Sequence, residues 1–145
     1  MSLFQLLVQS LQLQGERLRN KKFLEASMAA SALVATADGE VSFSERAAVD
    51  SVLASVQALQ VFDVHDAVDL FSDFVTAIQE DPESGMSRAL GAVTAVADDS
   101  EAADLVVRIG CAISRADGKL TEKEKTQVAE IATSLGIAPP LDATS

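Results

Sequence analysis

Acidic residues stand at matching places in a phrase that this chain contains twice. Residues 37–45 read Ala-Asp-Gly-Glu-Val-Ser-Phe-Ser-Glu, and residues 116–124 read Ala-Asp-Gly-Lys-Leu-Thr-Glu-Lys-Glu. Each copy has an aspartate near its start and a glutamate at its end. Four carboxylates brought together would form an all-oxygen site, which suits Ca²⁺, Mg²⁺ or Mn²⁺ rather than a soft metal. The candidate metal ligands are therefore Asp38, Glu45, Asp117 and Glu124.

Much of the phrase is also explained by folding alone. Gly39 follows a predicted helix, where glycine most easily adopts the left-handed conformation, and Gly118 is its counterpart. Each copy then has the spacing of a capping box, in which a hydroxyl and a glutamate satisfy each other's backbone amides. The two boxes are Ser42-x-x-Glu45 and Thr121-x-x-Glu124.

The two aspartates are less easily explained by capping. Asp38 and Asp117 are predicted at the ends of helices, where the helix dipole disfavours a carboxylate. Each could accept hydrogen bonds from amides in its own turn, or each could bind a cation. Both interpretations remain open.

The phrase has the spacing of the second half of a calcium-binding EF-hand loop. The first half is missing, because Val34 and Ile113 stand where the first oxygen ligand is needed. Apolar side chains cannot coordinate a hard cation, so an EF-hand is excluded. A cation site would have to be pooled from both copies.

Helices are predicted to position these residues, since apolar side chains recur at helical spacing and no strand pattern stands out. We expect an all-α fold of about seven helices, in one domain over residues 1–138 with a flexible tail over residues 139–145. The first predicted helix has Leu3, Leu6, Leu7, Leu11 and Leu18 along one face, and the second covers about residues 21–37. The third begins at Ser42, the fourth is capped by Asp63, and the fifth begins at Asp81-Pro82. The sixth begins at Ser100, and the seventh runs from Thr121 to a stop at Gly136.

The repeat extends beyond the phrase at the same offset of 79 residues, from 37 to 116. A helix–loop–helix hairpin that occurs twice predicts a pseudo-two-fold helical bundle. The matched pairs are Ala30/Ile109, Leu33/Ala112 and Val34/Ile113 before the phrase, and Val49/Val128, Val52/Ile131 and Val56/Leu135 after it.

Charge limits the partners of this protein. The formal net charge is −11, and eleven acidic residues face one base, Arg88, between positions 63 and 104. Three aspartates of the fourth helix, Asp66, Asp69 and Asp73, share one face, while basic residues cluster over 17–22. Such a field repels nucleic acid and suits cations or a basic protein surface, although it also serves solubility.

Other reactive residues do not indicate an enzyme. His65 is predicted to be solvated, and Cys111 is predicted to be a small core residue that forms no disulfide. No phosphate-binding loop or Cys/His metal spacing is present, so no organic cofactor is expected. No segment has the length of a membrane span, and we expect a cytoplasmic protein.

Several segments resemble the TerB tellurite-resistance family. They cover nearly the whole chain in order: Asn20-Lys21-Lys22-Phe23, Ala37-Asp38-Gly39, Val61-Phe62-Asp63, Glu101-Ala102-Ala103, Arg108-Ile109-Gly110, Asp117-Gly118 and Glu130-Ile131-Ala132-x-Ser134-Leu135-Gly136. The resemblance implies an all-helical protein of two pseudo-symmetric halves that acts in tellurite resistance and stress response at the inner face of the membrane.

The resemblance also implies partners and a site. The expected partners are an integral-membrane protein of the TerC type and a calcium-binding protein of the TerD type. Metal chelation would fall to Asp38, Glu45, Asp117 and Glu124, although Lys123 and Lys125 could weaken a cation at the second copy. The alternative is a ligand-free interaction scaffold with an acidic docking face. The negative net charge argues against direct binding of tellurite at helix N-termini.

Overall fold

Five helices occupy the three continuous stretches that the computed structural model describes. These stretches are residues 17–37, 63–115 and 121–137, and positions 39, 41, 44, 47–49 and 51 are described as well. The described part contains no strand, and positions 44, 47–49 and 51 are helical. The all-α prediction is confirmed. The helices are α1 (Arg17–Ala35), α2 (Val64–Glu80), α3 (Pro82–Thr94), α4 (Ser100–Ser114) and α5 (Glu122–Ser134).

The helices α1 to α5 correspond to the second, fourth, fifth, sixth and seventh predicted helices. The third predicted helix coincides with the helical positions 44, 47–49 and 51. The first predicted helix lies outside the described residues. The helix α1 ends at Ala35, two residues earlier than predicted.

Side-chain caps fix where α2 to α5 begin. Asp63 accepts a hydrogen bond from the His65 amide, as predicted, and Asp81 accepts one from the Ser84 amide with proline following at the first helical position. For α4 the cap is Asp99 rather than Ser100, the first residue of the helix. The positive end of the helix dipole also stabilises a carboxylate at this position.

The helix α1 lies at the centre of the described bundle. All ten residues from Ala26 to Ala35 are buried, and α1 contacts each of the other four helices. A helix that is apolar on every side is typical of such a central position. Its polar members are satisfied internally, because the Ser27 hydroxyl donates to the Phe23 carbonyl and the Ser31 hydroxyl donates to the Ser27 carbonyl.

Two glycines lie at contacts between helices, and at one of them, Gly85, a larger residue would not fit. A Cβ at Gly110 of α4 would lie 3.5 Å from the carbonyl carbon and oxygen of Ala30 in α1. A Cβ at Gly85 of α3 would overlap backbone atoms of Ala77 and Ile78 in α2. The helices α2 and α3 therefore pack with their backbones nearly touching.

Burial of the repeat pairs supports the predicted symmetry in part. Ala30/Ile109, Val34/Ile113 and Val49/Val128 are buried on both sides. The pair Leu33/Ala112 is not equivalent, since Leu33 is buried and Ala112 is exposed. The helix α1 is surrounded, whereas α4 packs mainly on α1 and α5 and leaves one side to solvent. Val52 and Val56 lie outside the described residues.

Across the described stretches, no helix combines the length with the apolar character that a bilayer crossing requires.

Candidate functional site

The end of α1 leads directly into the first copy of the repeated phrase. Gly39 has a φ of 96°, so the predicted left-handed turn is confirmed there. The Gly39 amide donates to the Thr36 carbonyl at 2.9 Å and closes the turn. Val41 is half-buried and packs against the core. The side chains of Asp38 and Glu45 lie outside the described residues.

The second copy of the phrase ends in a complete capping box. The Glu124 amide donates to Thr121 Oγ1 at 3.1 Å, and the Thr121 amide donates to Glu124 Oε1 at 2.8 Å. This predicted box is confirmed. Asp117 and Gly118 lie outside the described residues, as does the box Ser42-x-x-Glu45 apart from position 44.

Glu124 is unusual because its carboxylate is buried. The side chain is only 2% exposed and is among the largest fully buried side chains. Within the described residues its hydrogen-bond partner is the Thr121 amide. Burying a carboxylate is costly unless opposite charge or further donors compensate it. The capping bond supplies one such donor, and Glu124 is the one predicted ligand whose side chain is described.

A cavity of about 310 Å³ brings the neighbourhoods of the two phrases together. Ala37 is the residue before Asp38 in the sequence, and it lines this cavity beside Glu122 and Lys123 of the first turn of α5. Thr126, Gln127 and Glu130 complete the lining from the next turns of α5. The fold therefore places the residues that follow α1 against the first turns of α5.

A second cavity of about 450 Å³ adjoins the first and shares Ala37 and Gln127 with it. It lies where the end of α1, the end of α2, the start of α3 and the side of α5 meet. We call this second cavity the end groove. Its lining is mostly apolar or uncharged and consists of Leu33, Thr36, Ala37, Gly39, Ile78, Gln79, Pro82, Met86 and Gln127.

The end groove was not predicted from the sequence, because its walls come from four helices that are distant in the chain. The fifth predicted helix, α3, nevertheless carries two large apolar residues that the structure leaves exposed. Met86 and Leu90 lie four residues apart and are the large apolar side chains exposed in the described part of the protein, at 39% and 37%. Met86 lines the end groove, whereas Leu90 does not.

Other candidate residues lie as predicted. His65 is exposed, Cys111 is buried at 5% exposure, and Asp66, Asp69 and Asp73 are all exposed on α2. Among the residues whose placement is described, no three His, Cys, Asp or Glu side chains come close enough to hold a metal ion. Three of the four candidate ligands fall outside that set.

The described part of the chain is an all-helical bundle around a buried central helix, and the sequence contains a repeated acidic phrase. The chain matches the family model described as "Tellurite resistance protein TerB" over residues 24–140. It therefore belongs to the TerB family of tellurite-resistance proteins, which links it to tellurite resistance.

A curated relative carries the same assignment. Tellurium resistance protein TerB from an Alcaligenes species is 34% identical over 97 residues, which cover 67% of this chain and 80% of that protein. No solved structure gives a significant match to this chain.

Proposed function

We propose that this TerB-family protein binds a divalent cation between the two copies of its repeated phrase, as its part in tellurite resistance. The observation that carries the proposal is the shared cavity, because Ala37 lies in it beside Glu122 of the other repeat. The ligands would come from Asp38, Glu45, Asp117 and Glu124. Carboxylate oxygens in this number suit Ca²⁺, Mg²⁺ or Mn²⁺.

The buried Glu124 supports the proposal. One carboxylate oxygen accepts from the Thr121 amide, and the other would be the cation ligand. Glu122 and Glu130 line the cavity beside Ala37 and add negative charge, which is offset by Lys123 and by Lys125, the partner of Glu122 at 3.6 Å. The cation would compensate a carboxylate that has little contact with water.

The substitution Glu124→Gln separates the two interpretations of this residue. Glutamine can still accept the Thr121 hydrogen bond, so the capping box is kept, but the negative charge is lost. We expect the unfolding temperature without metal to stay near that of the wild type. Isothermal titration calorimetry with Ca²⁺, Mg²⁺ and Mn²⁺ should show binding in the wild type that is weaker by tenfold or more in Glu124→Gln.

The aspartates are tested by a matched pair of double variants. Asp38→Ala/Asp117→Ala removes two charges at the proposed site, and Asp66→Ala/Asp69→Ala removes two charges from the exposed face of α2. A cation at one hundred times its Kd should stabilise the wild type and the α2 control by about 2.7 kcal/mol, but not the site variant. Wild-type protein that gives no heat and no rise in melting temperature at millimolar cation would rule the proposal out.

A second candidate function is an interaction scaffold, and the exposed aspartates of α2 favour it. Asp66, Asp69 and Asp73 form an acidic face that could dock the membrane-associated partners implied by the family resemblance. Association through exposed charges should weaken as salt rises, because counterions screen them. Binding of purified partner to wild type and to Asp66→Asn/Asp69→Asn/Asp73→Asn at low and high salt tests this. Equal binding of the partner by the wild type and by the triple variant would exclude the acidic face of α2 as the docking surface.

A further inference from the structure

The end groove has an apolar base and an open mouth. Leu33 and Ile78 lie at its base at 2% and 6% exposure, and Pro82 forms part of its wall. Met86 stands at the mouth with 39% of its surface exposed. Methionine is flexible and polarisable, so it can adapt to an apolar side chain that enters the groove.

Acidic side chains surround this apolar surface. Glu83 precedes Met86 by three residues and therefore shares its side of α3. Glu80 and Asp81 follow the lining residue Gln79 in the chain, and all three carboxylates are exposed. On the opposite side, Glu122 and Glu130 of the adjoining cavity are balanced by Lys123 and by Lys125, which pairs with Glu122 at 3.6 Å. The excess negative charge at the groove therefore comes from Glu80, Asp81 and Glu83.

The helix ends at the groove do not reverse this negative field. The C-terminal ends of α1 and α2 bring partial negative charge, and the N-terminal ends of α3 and α5 bring partial positive charge. These contributions oppose one another, so the side-chain charges dominate. An anionic lipid surface or an oxyanion would be repelled here.

We propose that the end groove binds a basic amphipathic helical segment of a partner protein. Apolar side chains of the segment would enter between Leu33, Ile78 and Met86, and its lysines or arginines would face the surrounding carboxylates. An amphipathic helix laid in an apolar groove is a common mode of peptide recognition. A cavity of about 450 Å³ has the size of a typical binding pocket. This proposal requires no cation and uses a surface distinct from Asp66, Asp69 and Asp73.

The probe is a fluorescently labelled 18-residue peptide of leucine and lysine, arranged so that leucines fall on one helical face. A scrambled peptide of the same composition has the same charge but no apolar face. Fluorescence anisotropy is measured in buffer with a chelator, so that the result does not depend on the cation proposal. We expect the wild-type protein to bind the amphipathic peptide at least tenfold more tightly than the scrambled one.

A matched pair of variants tests the two exposed apolar positions of α3. Met86→Glu places a charge at the groove, and Leu90→Glu places the same charge one turn away at a residue of nearly equal exposure. We expect Met86→Glu to weaken peptide binding at least tenfold and Leu90→Glu by less than twofold. Both sites are exposed, so both variants should fold, and circular dichroism checks this.

Charge variants test the acidic surround. Glu83→Lys should weaken binding about fivefold, while Asp66→Lys should leave it unchanged, because Asp66 lies about 20 Å from Gln79 along α2 at 1.5 Å per residue. Equal affinity for the two peptides, or equal loss in Met86→Glu and Leu90→Glu, would overturn the proposal. So would self-association of the wild type, in sedimentation experiments, that Met86→Glu abolishes, because the occupant would then be a second copy of this chain.

Discussion

The close approach of α2 and α3 gives the sharpest test of the fold. In Gly85→Ala the added methyl group would overlap three backbone atoms, the carbonyl carbon and oxygen of Ala77 and the Cα of Ile78. Backbone cannot move aside as a flexible side chain can. Asp81 is the single residue between α2 and α3, so the two helices cannot slide apart without disrupting the connection.

The magnitude follows from two opposing contributions. Overpacking a well-filled site costs about 1–3 kcal/mol, and the backbone character of all three atoms places Gly85 at the upper end. Replacing glycine by alanine in a helix returns up to about 1 kcal/mol. We therefore expect Gly85→Ala to lower the free energy of unfolding by about 2 kcal/mol, which is a fall of roughly 6 °C in Tm for a chain of this size.

Gly91 on the same helix is the matched control. A Cβ at Gly91 meets no atom within 4 Å, and its backbone has no positive φ. Gly91→Ala should therefore raise the free energy of unfolding by about 0.5–1 kcal/mol. Thermal unfolding followed by circular dichroism at 222 nm compares the two variants. A Gly85→Ala protein as stable as Gly91→Ala would refute the close packing of α2 on α3.

Three further substitutions test local features. Thr121→Ala should lower the free energy of unfolding by about 1 kcal/mol because it removes the capping box, and Thr121→Ser should retain most of that stability in urea titrations. Ser114→Ala should be neutral or stabilising, since the buried Ser114 hydroxyl has no hydrogen-bond partner among the described residues. Ser31→Ala, which loses a 2.7 Å hydrogen bond, should be the less stable of the two variants by calorimetry. Gly136→Ala should cost about 1 kcal/mol in thermal unfolding because φ is +74° there, and a neutral result would contradict the left-handed end of α5.

The starts of α2 and α3 and the end of α5 were predictable because they depend on neighbouring residues. Asp63 and Asp81 act as caps where the sequence indicates them, and Pro82 is at the first position of α3. The end of α5 at Gly136 is equally local, since the Gly136 and Ile137 amides donate to the Thr133 and Ala132 carbonyls. Each of these hydrogen bonds joins residues at most five positions apart, so residue types at fixed spacing are sufficient to predict it.

The amino-acid sequence by itself determined the helical fold, the capping of the helices and the family, because these follow from periodic apolar positions and short-range hydrogen bonds. Tertiary structure decided what the repeat could not reveal. It placed α1 in the centre, so that Leu33 is buried while its counterpart Ala112 is exposed. It also brought Ala37 to the first turn of α5 and assembled the end groove around Met86. Such contacts join residues far apart in the chain, and local spacing carries no information about them.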